Sequence, residues 1–99
     1  MKRTRPVQNY FAETLRETLE ECGKTQKEIA EATGIPSPHL SELKNGKRRC
    51  TAEHDLRLSR CFGIAPGMWM GLQLEYEFEK AKHELSASIE KQVKPLAAA

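Results

Sequence analysis

The sequence predicts an all-α domain of five helices, the last of them long. No segment alternates apolar and polar residues in the β-branched manner of a strand. Apolar residues return instead at spacings of three and four, and Gly23, Gly34 and Gly63 stand just past such stretches, where a left-handed residue closes a helix. Beyond Gly63 one stretch reaches from Pro66 to about Ile89 in the same period, which sets the long final helix. Ninety-nine residues suffice for one modest core.

The first helix is expected from about Asn9 to Cys22, with Phe11, Leu15, Thr18 and Leu19 on one face. Thr25 and Glu28 have capping-box spacing and open the second helix. Ile29 and Thr33 form its inner face, and Ala30 is small enough for another helix to cross closely. Gly34 ends it in a positive-φ conformation, and Ile35 follows as an apolar plug. Ser37 is expected as the N-cap of the third helix, with Pro38 as its first helical residue. Leu40 and Leu43 are its buried stripe, and Lys44-Asn45-Gly46 stops it. Two short helices across a tight glycine turn read as a DNA-binding helix-turn-helix.

The fourth helix starts at the cap Thr51, with Glu53 and Asp55 near its positive end. Leu56, Leu58, Cys61 and Phe62 are expected to supply its apolar contacts. On the fifth helix, at ~100° per residue, Trp69, Leu72 and Tyr76 share one face and form part of the core. Met70, Leu74, Phe78, Ala81, Leu85 and Ile89 share the opposite face. A small bundle has no use for a second stripe, so Met70, Leu74, Phe78, Ala81 and Leu85 are expected to join two copies of the chain. The competing arrangement, in which the chain folds back over the stripe, has little sequence after Ile89 to use. The expected organisation is a basic N-terminal arm at 1–8, a helix-turn-helix domain at 9–93 that includes the dimerisation helix, and a flexible tail at 94–99.

The net charge of +2 says little, but its distribution says more. Lys2, Arg3 and Arg5 open the chain, and Lys44, Lys47, Arg48 and Arg49 crowd the end of the third helix. The first helix carries Glu13, Glu17, Glu20 and Glu21 against Arg16 alone. The basic side therefore lies beside the reading helix. Cys22, Cys50 and Cys61 are odd in number and lack CxxC spacing, which argues against a disulfide framework. Cys50 and His54 have ligand spacing but no second pair, so no metal is expected. His54 and His83 read as surface or packing residues. No nucleophile–base constellation, phosphate loop or paired carboxylates suggest an enzyme, a cofactor or a small-molecule substrate. No run is long enough to span a membrane and no secretory signal opens the chain, so a cytoplasmic protein is expected.

The Gln26-x-x-Ile29-Ala30 spacing, Gly34, Leu40, Leu43 and the closing Lys44-Asn45-Gly46-Lys47 resemble the XRE/Cro-like helix-turn-helix family. Thr51-Ala52, Leu56-Arg57-Leu58-Ser59, Phe62-Gly63, Pro66, Trp69 and Gly71-Leu72-Gln73 narrow the resemblance to HigA-type antitoxins, the virulence-associated protein I group. It covers roughly Phe11 to Tyr76. It departs at the opening, where Arg5-Pro6-Val7-Gln8-Asn9 replaces the His-Pro-Gly common in the family.

The resemblance implies a double-stranded operator as partner, together with a HigB-type toxin, a ribosome-dependent mRNA endonuclease. By match to the motif, Ser37, Pro38 and Glu42 approach base edges, while His39 and Ser41 also face outward. Capping competes for the Ser37 oxygen. Glu42 can accept from a cytosine amino group or pair with a nearby Arg or Lys, and both readings stand. Gln26 matches the position that clamps DNA backbone. Lys44, Asn45, Lys47, Arg48 and Arg49 follow the reading helix and are placed for phosphates. The expected function is an antitoxin that autorepresses its operon as a homodimer. The alternatives are a phage- or plasmid-style repressor without a toxin and a protein-only inhibitor. The basic cluster argues against the last.

Overall fold

The computed structural model describes residues 7–96. Lys2, Arg3 and Arg5 of the basic arm, and the last alanines of the tail, lie outside the described residues. Among the described residues five helices follow in order: α1 (Tyr10–Glu21), α2 (Gln26–Thr33), α3 (Ser37–Lys44), α4 (Ala52–Phe62) and α5 (Met68–Gln92).

Each of the first two helices has a side-chain cap. Asn9 Oδ1 accepts from the Ala12 N–H at the start of α1. The Thr25 hydroxyl accepts from Glu28 N–H, and Glu28 Oε1 accepts in return from Thr25 N–H, completing the box of α2. Gly34 closes α2 at φ 74°. A Cβ there would also lie 2.5 Å from Arg57 Nη1, the movable end of a long side chain, so it is the dihedral that requires glycine. The buried Thr33 hydroxyl donates to Ile29 O at 2.8 Å and accepts from Ile35 N–H at 3.1 Å, holding the turn between the motif helices.

The core joins all five helices and their connections. Phe11, Leu15, Ile29, Ile35, Leu40, Leu43, Cys50, Leu58 and Trp69 are buried together. Trp69 meets Phe11 edge-on at 5.9 Å between ring centroids and leans on Phe62 at 6.5 Å. α1 packs on α3 and α5, α2 on α3 and α4, and α4 on α5. α5 then leaves the bundle: every residue from Phe78 to Leu96 is exposed, and the molecule measures 55 × 31 × 19 Å.

Four expectations need correction. Ser37 does not cap α3; Pro36 does, with no side-chain bond, because Leu40 N–H already reaches Pro36 O at 3.0 Å and moves the helix start back by one residue. Pro38 is therefore not the first helical residue. Leu56 is 59% exposed, because the inward positions of α4 are Asp55, Leu58 and Ser59 and Leu56 is turned ~100° away from Asp55. Met70 packs against the protein's own core instead of joining the outer stripe. It lies before the point where α5 leaves the bundle. Finally, α5 starts at Met68 and not at Pro66, since Gly67 occupies the N-cap at φ 104°.

Asp55 explains that last start. Gly67 has no side chain to cap α5, and the Asp55 carboxylate does so from α4. Its Oδ1 accepts from Gly67 N–H at 2.9 Å and its Oδ2 from Met70 N–H at 2.8 Å, with the Ser59 hydroxyl at 3.2 Å. Burial pushes this carboxyl up, but these donors and the Trp69 backbone N–H outweigh it and leave the group below its ordinary value.

Candidate nucleic-acid interface

Leu40 and Leu43 anchor α3 through the buried side of the helix, so its other side faces outward. Pro38 is exposed there, and Ser37, His39, Ser41 and Glu42 are partly exposed. The two motif helices are tied at their starts. Gln26 Nε2 donates to both Ser37 O and Ser37 Oγ, each at 3.0 Å. The Gln26 amide nitrogen is engaged in this way, and the Ser37 hydroxyl oxygen holds α2 instead of capping its own helix. Beside Gln26 a recess of about 150 Å³ is lined by Arg16, Lys24 and Lys44 together with one acid, Glu20. Arg16 Nη2 also donates to Lys44 O at 2.8 Å and caps the end of α3. Sequence reasoning missed Arg16 and Lys24 because neither lies in the motif.

The segment after α3 carries the basic cluster. Asn45 is the C-cap of α3, and Asn45, Lys47, Arg48 and Arg49 are exposed. Among the described residues Lys47 has no ion pair, whereas both arginines do. Arg48 Nε donates to Glu42 Oε1 at 2.7 Å, which is the intramolecular alternative for Glu42. Arg49 turns the other way, to α5. Its Nε and Nη2 both donate to the Glu77 carboxylate, the second at 3.1 Å. This guanidinium holds the Glu77 carboxyl below its usual range.

Two residues of α4 brace the same region. Arg57 Nη1 donates to Thr33 O at 3.0 Å, closing the end of α2, while its Nε pairs with Glu53 at 3.0 Å. His54 Nδ1 accepts from Thr51 N–H at 3.0 Å and completes a capping box for α4. Burial first, and then the charge of Arg48, holds this imidazole below its ordinary value. Cys50 is buried beneath the loop, and burial pushes its thiol up to about 12, leaving it unreactive. Among the described residues no group of three His, Cys, Asp or Glu is placed to hold a metal, and no helix is long and apolar enough to cross a membrane.

The arrangement presents a short helix with small polar and apolar groups outward, with basic side chains at its far end and a basic recess at its side. A family model for the helix-turn-helix (HTH_3) matches residues 15–69. The chain is 31% identical over 74 residues to Escherichia coli (strain K12) YddM, described as an uncharacterized HTH-type transcriptional regulator, covering 75% of this chain and 79% of that one. It is similar to the structure of an addiction module antidote protein of a HigA family from Coxiella burnetii, at 32% identity and a TM-score of 0.81, over 94% of this chain and 100% of that one. It is equally similar to the Pseudomonas aeruginosa antitoxin HigA with the higBA promoter, at 30% identity and a TM-score of 0.82, over 93% and 99% of the two chains.

Proposed function

Because this chain belongs to the helix-turn-helix family, and within it to the HigA-type antitoxins, we propose that it is a sequence-specific DNA-binding antitoxin that represses its own operon and neutralises a HigB-type toxin. The observation that carries the DNA half is the outward side of α3, bounded by the recess of Arg16, Lys24 and Lys44 and by the segment Asn45 to Arg49. Phosphate contacts on both sides set the register of α3 in the major groove, and its first turns read bases. The Pro38 ring suits a thymine methyl, and His39 and Ser41 offer donors and acceptors. The Arg48 pair orients Glu42 and sets its reach towards a cytosine amino group.

A second copy of the chain is supported by the outer stripe of α5. Leu74, Phe78, Ala81, Leu85 and Ile89 are exposed along one side of a helix that leaves its own bundle, and Phe78 is 69% exposed. Pairing along it would couple two reading helices about one turn apart, ~34 Å. The toxin half rests on family membership.

Two measurements test the proposal. The protein binds a duplex spanning the promoter upstream of its own gene and not a scrambled duplex of equal length, and it co-purifies with the product of the adjacent reading frame. DNA binding without co-purification supports a plain repressor, and co-purification without DNA binding supports a protein-only inhibitor.

A further inference from the structure

The basic segment after α3 is attached to α5 through both its backbone and one side chain. Gln73, 4% exposed, accepts the Cys50 N–H on Oε1 at 3.1 Å and donates from Nε2 to Glu77 Oε2 at 2.8 Å. Glu77 in turn takes two N–H groups of Arg49, and a third, on Arg49 Nη1, faces Cys50 O at 3.4 Å. Arg49, although its side chain is half exposed, closes a relay that runs from loop backbone to helix and back to the loop. A bidentate guanidinium–carboxylate pair fixes orientation as well as charge. Lys47, two residues earlier on the same segment, has no such partner among the described residues.

We infer that Gln73, Glu77 and Arg49 are positioning residues for DNA binding, and that Arg49 holds the loop on α5 instead of neutralising a phosphate. This rests on the DNA-binding reading above and reassigns one residue of the basic cluster. The latch sets where Lys47 and Arg48 stand relative to α3, so its loss weakens binding without changing how many phosphates are neutralised.

The affinity of the full chain for the duplex from its own promoter, measured over a range of salt, separates the two roles. For a dimer, Lys47→Ala removes two phosphate contacts and flattens the log–log salt slope by ~1.8. Arg49→Ala leaves the slope at the parent value while weakening binding roughly tenfold, the size of an ordinary coupling between groups in contact. Glu77→Gln, of the same shape, also weakens binding at unchanged slope, and the Arg49→Ala/Glu77→Gln double variant is no weaker than the worse single one. Helical ellipticity of each variant confirms that it is folded. An Arg49→Ala slope flattened as far as that of Lys47→Ala, or tighter binding by Glu77→Gln as the guanidinium is freed, overturns the inference. So does an Arg49→Ala affinity equal to the parent's. A parent protein that shows no salt-dependent binding to the duplex sinks the DNA-binding reading itself.

Discussion

At the start of α4 a histidine takes the place that Glu28 holds in α2. His54 Nδ1 accepts the Thr51 N–H, which requires that nitrogen to be unprotonated. Its folded value is lowered, so as pH falls the unfolded chain takes up the proton first. The cap's contribution is fully present above about pH 6.5 and is lost as pH drops through the lower folded value. Urea midpoints should fall across that window. His54→Gln, which retains an acceptor at the same position, should remove that dependence. Asp55→Ala should be costlier, because it leaves the Gly67 and Met70 N–H groups at the head of α5 without acceptors. A loss of about 3 kcal/mol at unchanged urea m-value is expected. The box of α2 was legible because Thr25 and Glu28 are its ordinary pair. His54 and Asp55 were not, since one is an unusual box partner and the other serves a helix twelve residues away in the chain. A signal for Asp55 did exist: it falls in one stripe with Leu58 and Phe62, where an acid calls for donors.

Elements followed the pattern wherever glycine and apolar spacing acted together. Gly34 and Gly63 take positive φ at the ends of α2 and α4, as the sequence required. The start of α3 was harder to place, because Pro36, Ser37 and Pro38 all tolerate a helix N-terminus and only the Gln26 bond decides what Ser37 does. Leu56 was misplaced by composition alone, an apolar residue outside the stripe of its helix. On α5 the wheel separated two faces correctly, but it could not show where the helix leaves its bundle, so Met70 was assigned to the outer stripe. The remaining stripe gives a sharp expectation. Phe78→Glu places an unpaired charge in the proposed contact between two copies, at several kcal/mol. Sedimentation should then report a monomer whose bundle stays folded, with operator affinity greatly reduced by the loss of coupled half-sites. A dimer as tight as the parent would place the contact elsewhere, and a collapsed bundle would make the stripe part of the core.

Across the whole molecule, charge sorts by position. The acids Glu13, Glu17, Glu20 and Glu21 gather on α1 and the bases Lys47, Arg48 and Arg49 after α3, as the sequence shows, although Glu20 lines the same recess as Lys44. What it could not show is that two of those bases are already paired, Arg48 with Glu42 and Arg49 with Glu77. About six to eight phosphate contacts per dimer give a log–log salt slope of roughly −5 to −7. With Arg49 held on α5, the shallow end, about −5, is expected from anisotropy of a labelled duplex. A slope near zero would remove phosphate neutralisation from the account.

The burial of Trp69 has an optical consequence. It is the chain's one tryptophan, enclosed at the junction of α1, α4 and α5, and its indole N–H has no acceptor among the described residues. Its emission therefore belongs to the bundle alone and stays blue until the bundle opens. Far-ultraviolet ellipticity counts every helical residue, including the length of α5 from Phe78 to Gln92 that is exposed throughout. A helix of that length is marginal by itself. On dilution, ellipticity should fall while the emission colour holds, and at high concentration the two melting curves should coincide. One cuvette thus distinguishes a covered α5 from a bare one without any label.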